Sequence, residues 1–335
     1  MRYVVNLFVF VFVFASCKPK TTTTEPEYIV NADSLRGLDS INYQLQYGPN
    51  NPDLYYKRAQ YYLKDGKFDK GLIDIKRAIE IDSLYPDYYI LLADYNIAYL
   101  DADEADKNIR KAIALAPKNP NFKVKMGELG LYQRNFKKMF NYLDSALYID
   151  PYIAKVYFLK GLGFLSMNDT NLAISSFQTA TEQNPDYFEA YLQLAHIFSE
   201  KDNPTAIELY KTAIQLDETS VEARYGLAYY LQEHNDVETA LNMYKDLTVK
   251  VSDYAPAYHN IGYIYLFYKQ DPKSAIPWFT KAIQADIEMR NAYYHRGYAY
   301  EKVGDNGSAL LDYQKAARID PDFDLAIQRI QKIRK

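Results

Sequence analysis

Residues able to carry chemistry are few in this sequence and widely spaced. The four histidines, His196, His234, His259 and His295, show no spacing that would gather them around a metal on one helix or loop. Cys17 is the only cysteine, so no intrachain disulfide and no Cys-x-x-Cys redox pair can form. There is no HExxH, no GxSxG elbow and no glycine-rich phosphate loop. Gly161-Leu162-Gly163 falls inside a helical pattern and reads as packing. The many carboxylates are scattered over helical surface positions. These observations predict no catalytic residues, no metal, no cofactor and no enzymatic activity, leaving an enzyme with an unrecognised site as the least favoured reading.

The elements that position the remaining polar and aromatic residues follow from a period. Between Tyr293 and Pro321, Gly297, Tyr300, Ala309, Tyr313, Ala316 and Pro321 stand at offsets of 0, 3, 12, 16, 19 and 24. The step of three fits one helix face, and the later steps of four and three fit a face of a second helix. Gly304-Asp305-Asn306-Gly307 marks the turn between them, and Pro321 stops the second helix. A first small position recurs at Ala59, Ala93, Gly127, Gly161, Ala195, Ala228, Gly262 and Gly297; a second recurs at Ala78, Ala112, Ala146, Ala180, Ala213, Leu247, Ala282 and Ala316. Both series advance by 33 to 35 residues and slip together. Eight helix–turn–helix units are therefore expected over 52–321, preceded by a half-unit helix over 34–51 and followed by a covering helix over 322–335.

The pattern resembles the tetratricopeptide repeat family, whose consensus puts small, aromatic, small, aromatic, small and proline residues at these offsets. The resemblance implies an all-α fold, a right-handed superhelical solenoid of antiparallel helix pairs. No unit buries its apolar face alone, so stability comes from the stack. Several irregularities carry expectations. Met139 stands where a small residue belongs and should push its two helices slightly apart. Pro277 should bend its helix or move its start to Ser274, and repeat seven has one extra residue, placed in its turn. Arg329, Lys332, Arg334 and Lys335 are expected to form a solvated face of the last helix.

The N-terminus has a different composition. Arg2 precedes an apolar run from Val4 to Phe14 that is too short to span a bilayer, as an export signal requires. Phe14-Ala15-Ser16-Cys17 resembles a bacterial lipobox, which implies a signal peptide over 1–16 and lipidation of Cys17. Residues 17–33, with four consecutive threonines and two prolines, read as a flexible tether. Lys18 after Cys17 resembles the outer-membrane sorting case, so the expected location is the cell envelope, lipid-anchored at the outer membrane. The charge balance, 43 acidic against 39 basic residues without a basic stripe, speaks against a nucleic-acid partner.

In the family, the first helix of each unit lines a concave groove where ligands dock. Carrying those positions over gives Tyr225 and Tyr229, then His259, Asn260 and Tyr263, then Tyr294, His295 and Tyr298. Tyr229, Tyr263 and Tyr298 are spare aromatics rather than wedge fillers between helices. His259 and His295 are 36 apart, close to one period, so neighbouring helices bring them within reach. Tyrosines of this kind suit a binding surface, or pack against one another along the wall. The functional expectation is a membrane-anchored adaptor or scaffold binding protein or peptide partners through the groove. A peptide or glycan receptor using the same groove stands as the alternative, and homodimerisation is a further use of such a surface.

Overall fold

The computed structural model describes residues 37–334, in which helices are the only regular secondary structure. The readings of 1–16 as a signal, Cys17 as a lipid site and 17–33 as a tether lie outside the described residues, as do the start of the 34–51 helix and Lys335. The chain forms two units divided after Met167. The first unit holds α1 (Leu38–Tyr47), α2 (Pro52–Lys64), α3 (Phe68–Ile81), α4 (Pro86–Ala98), α5 (Ala102–Leu115), α6 (Pro120–Tyr132), α7 (Phe136–Leu147) and α8 (Ala154–Ser166). The second holds α9 (Thr170–Gln183), α10 (Phe188–Glu200), α11 (Thr205–Leu216), α12 (Val221–Glu233), α13 (Val237–Lys250), α14 (Ala255–Tyr263), α15 (Pro272–Ala285), α16 (Arg290–Lys302), α17 (Asn306–Ile319) and α18 (Asp324–Arg334). A π-helical turn, Ile264–Tyr268, extends α14. Within each unit a helix packs on the helix before it and the one after it.

Local chemistry sets the boundaries. Pro52, Pro86 and Pro120 open α2, α4 and α6, where a missing N–H costs nothing. Six of the second helices are opened by a side-chain cap: Asp101, Asn135, Asp169, Asp236, Asp271 and Asp305 each accept a backbone N–H three residues on. The residue before each of these caps has positive φ: Leu100, Arg134, Asn168, Asn235, Gln270 and Gly304. Only the last is glycine; Asn168 and Asn235 tolerate this region, whereas at Leu100, Arg134 and Gln270 the turn is imposed on residues that resist it.

Small side chains set the approach of the helices. Ala59, Ala93, Ala195 and Ala228 are fully buried, as are Ala78, Ala112, Ala146, Ala180, Ala213, Leu247, Ala282 and Ala316. A methyl added at Gly127 would run into Leu143, at Gly226 into Tyr210, and at Gly262 into Phe279. The small residue of one helix thus receives the large residue of its neighbour. Met139 does not spread α6 from α7. A Cβ on Gly130 would sit 2.8 Å from the Met139 nitrogen, and Gly163 of α8 makes room for the end of the methionine side chain.

Part of the tyrosine excess serves the backbone. Tyr55, Tyr89, Tyr157 and Tyr258 each donate a hydroxyl proton to the carbonyl six residues earlier, on Pro49, Ser83, Pro151 and Ser252, at 2.9 to 3.1 Å. Lys123 and Arg224 make the same tie with nitrogen donors. Each fastens a first helix to the loop that enters it.

Three further expectations need correction. The extra residue of repeat seven is taken up inside the first helix: Lys269 N donates to Ile264 O, a π-type bond, and the turn after it keeps its usual length. The start of α15 does not move to Ser274; the helix begins at Pro272, capped by Asp271, and continues through Pro277. Arg329 and Lys332 are not a free solvated face. Both reach Glu301, at 3.0 and 3.1 Å, and Glu301 also accepts the Tyr313 hydroxyl proton at 2.8 Å.

Candidate protein-binding face

Three successive first helices, α12, α14 and α16, carry the eight candidate residues, and the structure joins all eight in one continuous set of contacts. Residues about one period apart fall on neighbouring first helices, because each unit repeats the same helix pair.

A directed hydrogen-bond chain runs through the centre. His259 Nδ1 lies 3.1 Å from Asn260 Oδ1, an acceptor, so that nitrogen carries the proton. His259 Nε2 is then the acceptor for His295 Nδ1–H at 2.9 Å. Asn260 Nδ2 spends its two protons on the hydroxyls of Tyr225, at 3.1 Å, and Tyr244, at 2.9 Å. Asn260 is itself buried. Four helices, α16, α14, α12 and α13, are thereby linked by uncharged groups, and His295 Nε2 remains as the acceptor at the end of the chain.

Both imidazoles are held neutral. Burial against Phe279, whose ring lies 5.6 Å from His259 and 5.8 Å from His295, disfavours their charged forms. His259 is pushed below the ordinary histidine range by that burial. His295 is pushed down to about 3, by burial first and by His259 second.

Aromatic rings flank the chain. Tyr225 stacks with Tyr229 at 6.4 Å, and Tyr229 is 45% exposed. Tyr263 contacts His295 at 5.4 Å and Phe267 at 4.5 Å, and Phe267 stacks on Tyr298 at 5.8 Å. Tyr294 lies 5.3 Å from His295 and 5.2 Å from Phe323. Tyr229 and Phe267 are the exposed members of the set, Tyr263, His295 and Tyr298 are half-buried beside them, and Tyr225 and Asn260 hold it in place. Phe267 was not among the sequence candidates. Its signal was the one-residue excess of repeat seven, which the π turn converts into an aromatic one turn beyond Tyr263.

The first unit is built differently at the corresponding positions. Asp94 of α4, Lys125 and Glu128 of α6, and Lys155 of α8 form an alternating ladder of ion pairs. Burial raises the Asp94 carboxyl above the usual range against the opposing pull of Lys125. Among the described residues, no group of three or more histidines, cysteines or carboxylates could hold a metal ion, and no helix is long and apolar enough to cross a membrane.

Tetratricopeptide repeat models match residues 52–83, 158–221, 198–261, 255–286 and 290–323. With the paired helices and their buried small residues, these matches make the chain a tetratricopeptide-repeat protein. It is 27% identical over 217 residues to tetratricopeptide repeat protein 37 of Xenopus laevis, covering 62% of this chain and 14% of that one. It is 22% identical over 277 residues to the human mitochondrial import receptor subunit TOM70, covering 79% and 46%. The chain thus spans less than half the length of either curated relative. A tetratricopeptide repeat protein structure from Parabacteroides merdae superposes with a TM-score of 0.51 at 16% identity, over 75% of this chain and 99% of that one, a likeness of fold alone. Members of this family mediate protein–protein interaction.

Proposed function

We propose that the protein is a lipid-anchored, non-enzymatic adaptor of the bacterial cell envelope, tethered at Cys17 to the outer membrane, whose eight repeats over 52–321 hold protein or peptide partners on the first-helix face. The observation that carries this reading is the continuous aromatic and imidazole face across α12, α14 and α16, with Tyr229 and Phe267 at 45% and 39% exposure. Exposed aromatics gathered on one face mark an interaction surface rather than scattered surface residues. The neutral histidine pair ties the helices beneath this face together without burying a charge.

Crosslinking in membranes followed by pulldown tests the face. Replacing Tyr229, Tyr263 and Tyr298 by Ala should release the partners while helix content persists; retention of every partner removes the assignment. Mass spectrometry of the mature N-terminus tests the anchor separately. Cys17 should be the first residue and carry acyl chains, and an unmodified Cys17 or an intact Met1 removes the membrane part of the proposal.

A further inference from the structure

The aromatic face runs into a cluster of cations at the C-terminal end of α16. Phe267 stacks on Tyr298 with the ring planes 15° apart, the Arg329 guanidinium lies 4.7 Å from the Tyr298 ring centre, and Lys302 Nζ lies 5.2 Å from it. A ladder Tyr263–Phe267–Tyr298–Arg329 thus crosses α14, its π turn, α16 and α18. Its charge is unbalanced. At its α16–α18 end three cations, Lys302, Arg329 and Lys332, gather beside one carboxylate, Glu301, which already serves Arg329, Lys332 and the Tyr313 hydroxyl. Asp305, four residues after Glu301, is engaged in capping α17. Lys302 is exposed and has no ion-pair partner among the described residues.

We propose that this end of the face takes an acidic–aromatic protein segment: an apolar or aromatic side chain against Phe267 and Tyr298, flanked by Asp or Glu residues that pair with Lys302 and its neighbouring cations. This rests on the reading of the first-helix face as the partner-binding surface and adds the chemistry of the partner. Each half of the motif has its reason. The exposed edge of Phe267 gains by desolvation, and the excess of cations beside it, with Lys302 unpaired, favours carboxylates in both encounter and orientation. A basic segment would meet like charge and be rejected. An anionic membrane surface or a nucleic acid would use the cations and leave the apolar step at Phe267 unused.

Selection from a displayed library of random peptides, about twelve residues long and thus long enough to cross neighbouring units, tests the proposal on the full chain. Enriched peptides should combine an aromatic residue with two or more carboxylates. Phe267→Ala and Lys302→Glu should each weaken a selected peptide by about tenfold or more, and added salt should weaken it further. Lys302 is exposed, so Lys302→Glu should leave the melting temperature unchanged, whereas Phe267→Ala loses its contacts with Tyr263 and Tyr298 and should lower it while helix content persists; the Lys302 variant thus separates lost binding from lost fold. Enrichment of basic or uncharged peptides, or acidic peptides indifferent to Lys302→Glu, overturns this proposal while leaving the face as a partner site. No enrichment at all removes both. Lys302-dependent binding to phosphatidylglycerol vesicles or to single-stranded RNA, with no such peptide selected, also overturns it.

Discussion

Leu100, Arg134 and Gln270 sit at φ of 60°, 54° and 52°, in the left-handed region that a side chain with a Cβ resists. Gly66 and Gly304 occupy the same place in other pairs, and a Cβ built on either meets no atom within 4 Å. The strain is therefore conformational and not steric crowding. Leu100→Gly or Arg134→Gly should raise stability by up to about 1 kcal/mol, with the gain in unstrained backbone partly offset by the entropy of glycine in the unfolded chain. Chemical denaturation measures it, and a loss of more than a few tenths would contradict the argument. At Gly71 the sign reverses. Its missing side chain makes room for the Tyr95 hydroxyl, which donates to Ala59 O at 2.6 Å. Gly71→Ala should be destabilising alone and less so when combined with Tyr95→Phe, a coupling that a double-mutant cycle reads directly.

At the scale of elements, α1 meets α2 as α15 meets α16. Arg58 donates to Asn42 and to Asp74, 16 residues to either side, and Arg296 donates to Thr280 and to Asp312 at the same spacing. Arg58 thus joins α1 and α3 across α2 as Arg296 joins α15 and α17 across α16. At the other end α18 covers Phe323, Ile330 and Ile333 against Tyr293, Tyr313 and Ala316. Ending the chain after Pro321 should expose this cluster and leave Glu301 without its two cations. The expected outcome is a lower melting temperature and aggregation; an unchanged transition would show that the last helix does not stabilise the pair before it. The helix pairs were legible in the sequence because burying a small residue once per unit leaves a period that can be counted. The fate of the insertion near Tyr263 was not legible, because a one-residue excess does not say which side of a helix end absorbs it. Nor was the Glu301 clamp: Arg329 and Lys332 look like any solvated pair until a carboxylate from another helix is placed beneath them. The positions of His259 and His295 followed from the period, but their hydrogen bond and its direction depend on Asn260, a residue whose burial no spacing announces.

For the molecule as a whole, the histidines set the response to acid. His259, His295 and His196 all lie below the ordinary range, in each case chiefly through burial. An unfolded imidazole takes its proton near pH 6.5, whereas folded His295 does so only near 3. Between those values the unfolded chain binds more protons, so these groups favour unfolding increasingly as pH falls below about 6.5. His234 has the opposite sign: the Tyr230 carbonyl and Asp202 raise it, so its contribution is present in acid and fades as pH rises through its folded value. Three against one predicts a melting temperature lower at pH 5 than at pH 7.5, with a shallower slope in the His259→Asn, His295→Asn double variant. A steeper slope in that variant would contradict the neutral pair.

The helical turn Ile264–Tyr268 has a consequence for how such a wall can change over generations. Because the surplus amino acid was swallowed before the connector, α15, α16 and α17 keep their phase, and only a few side chains at one spot were swung around. A single added codon can thus redecorate one patch of the surface and leave every other hairpin where it was.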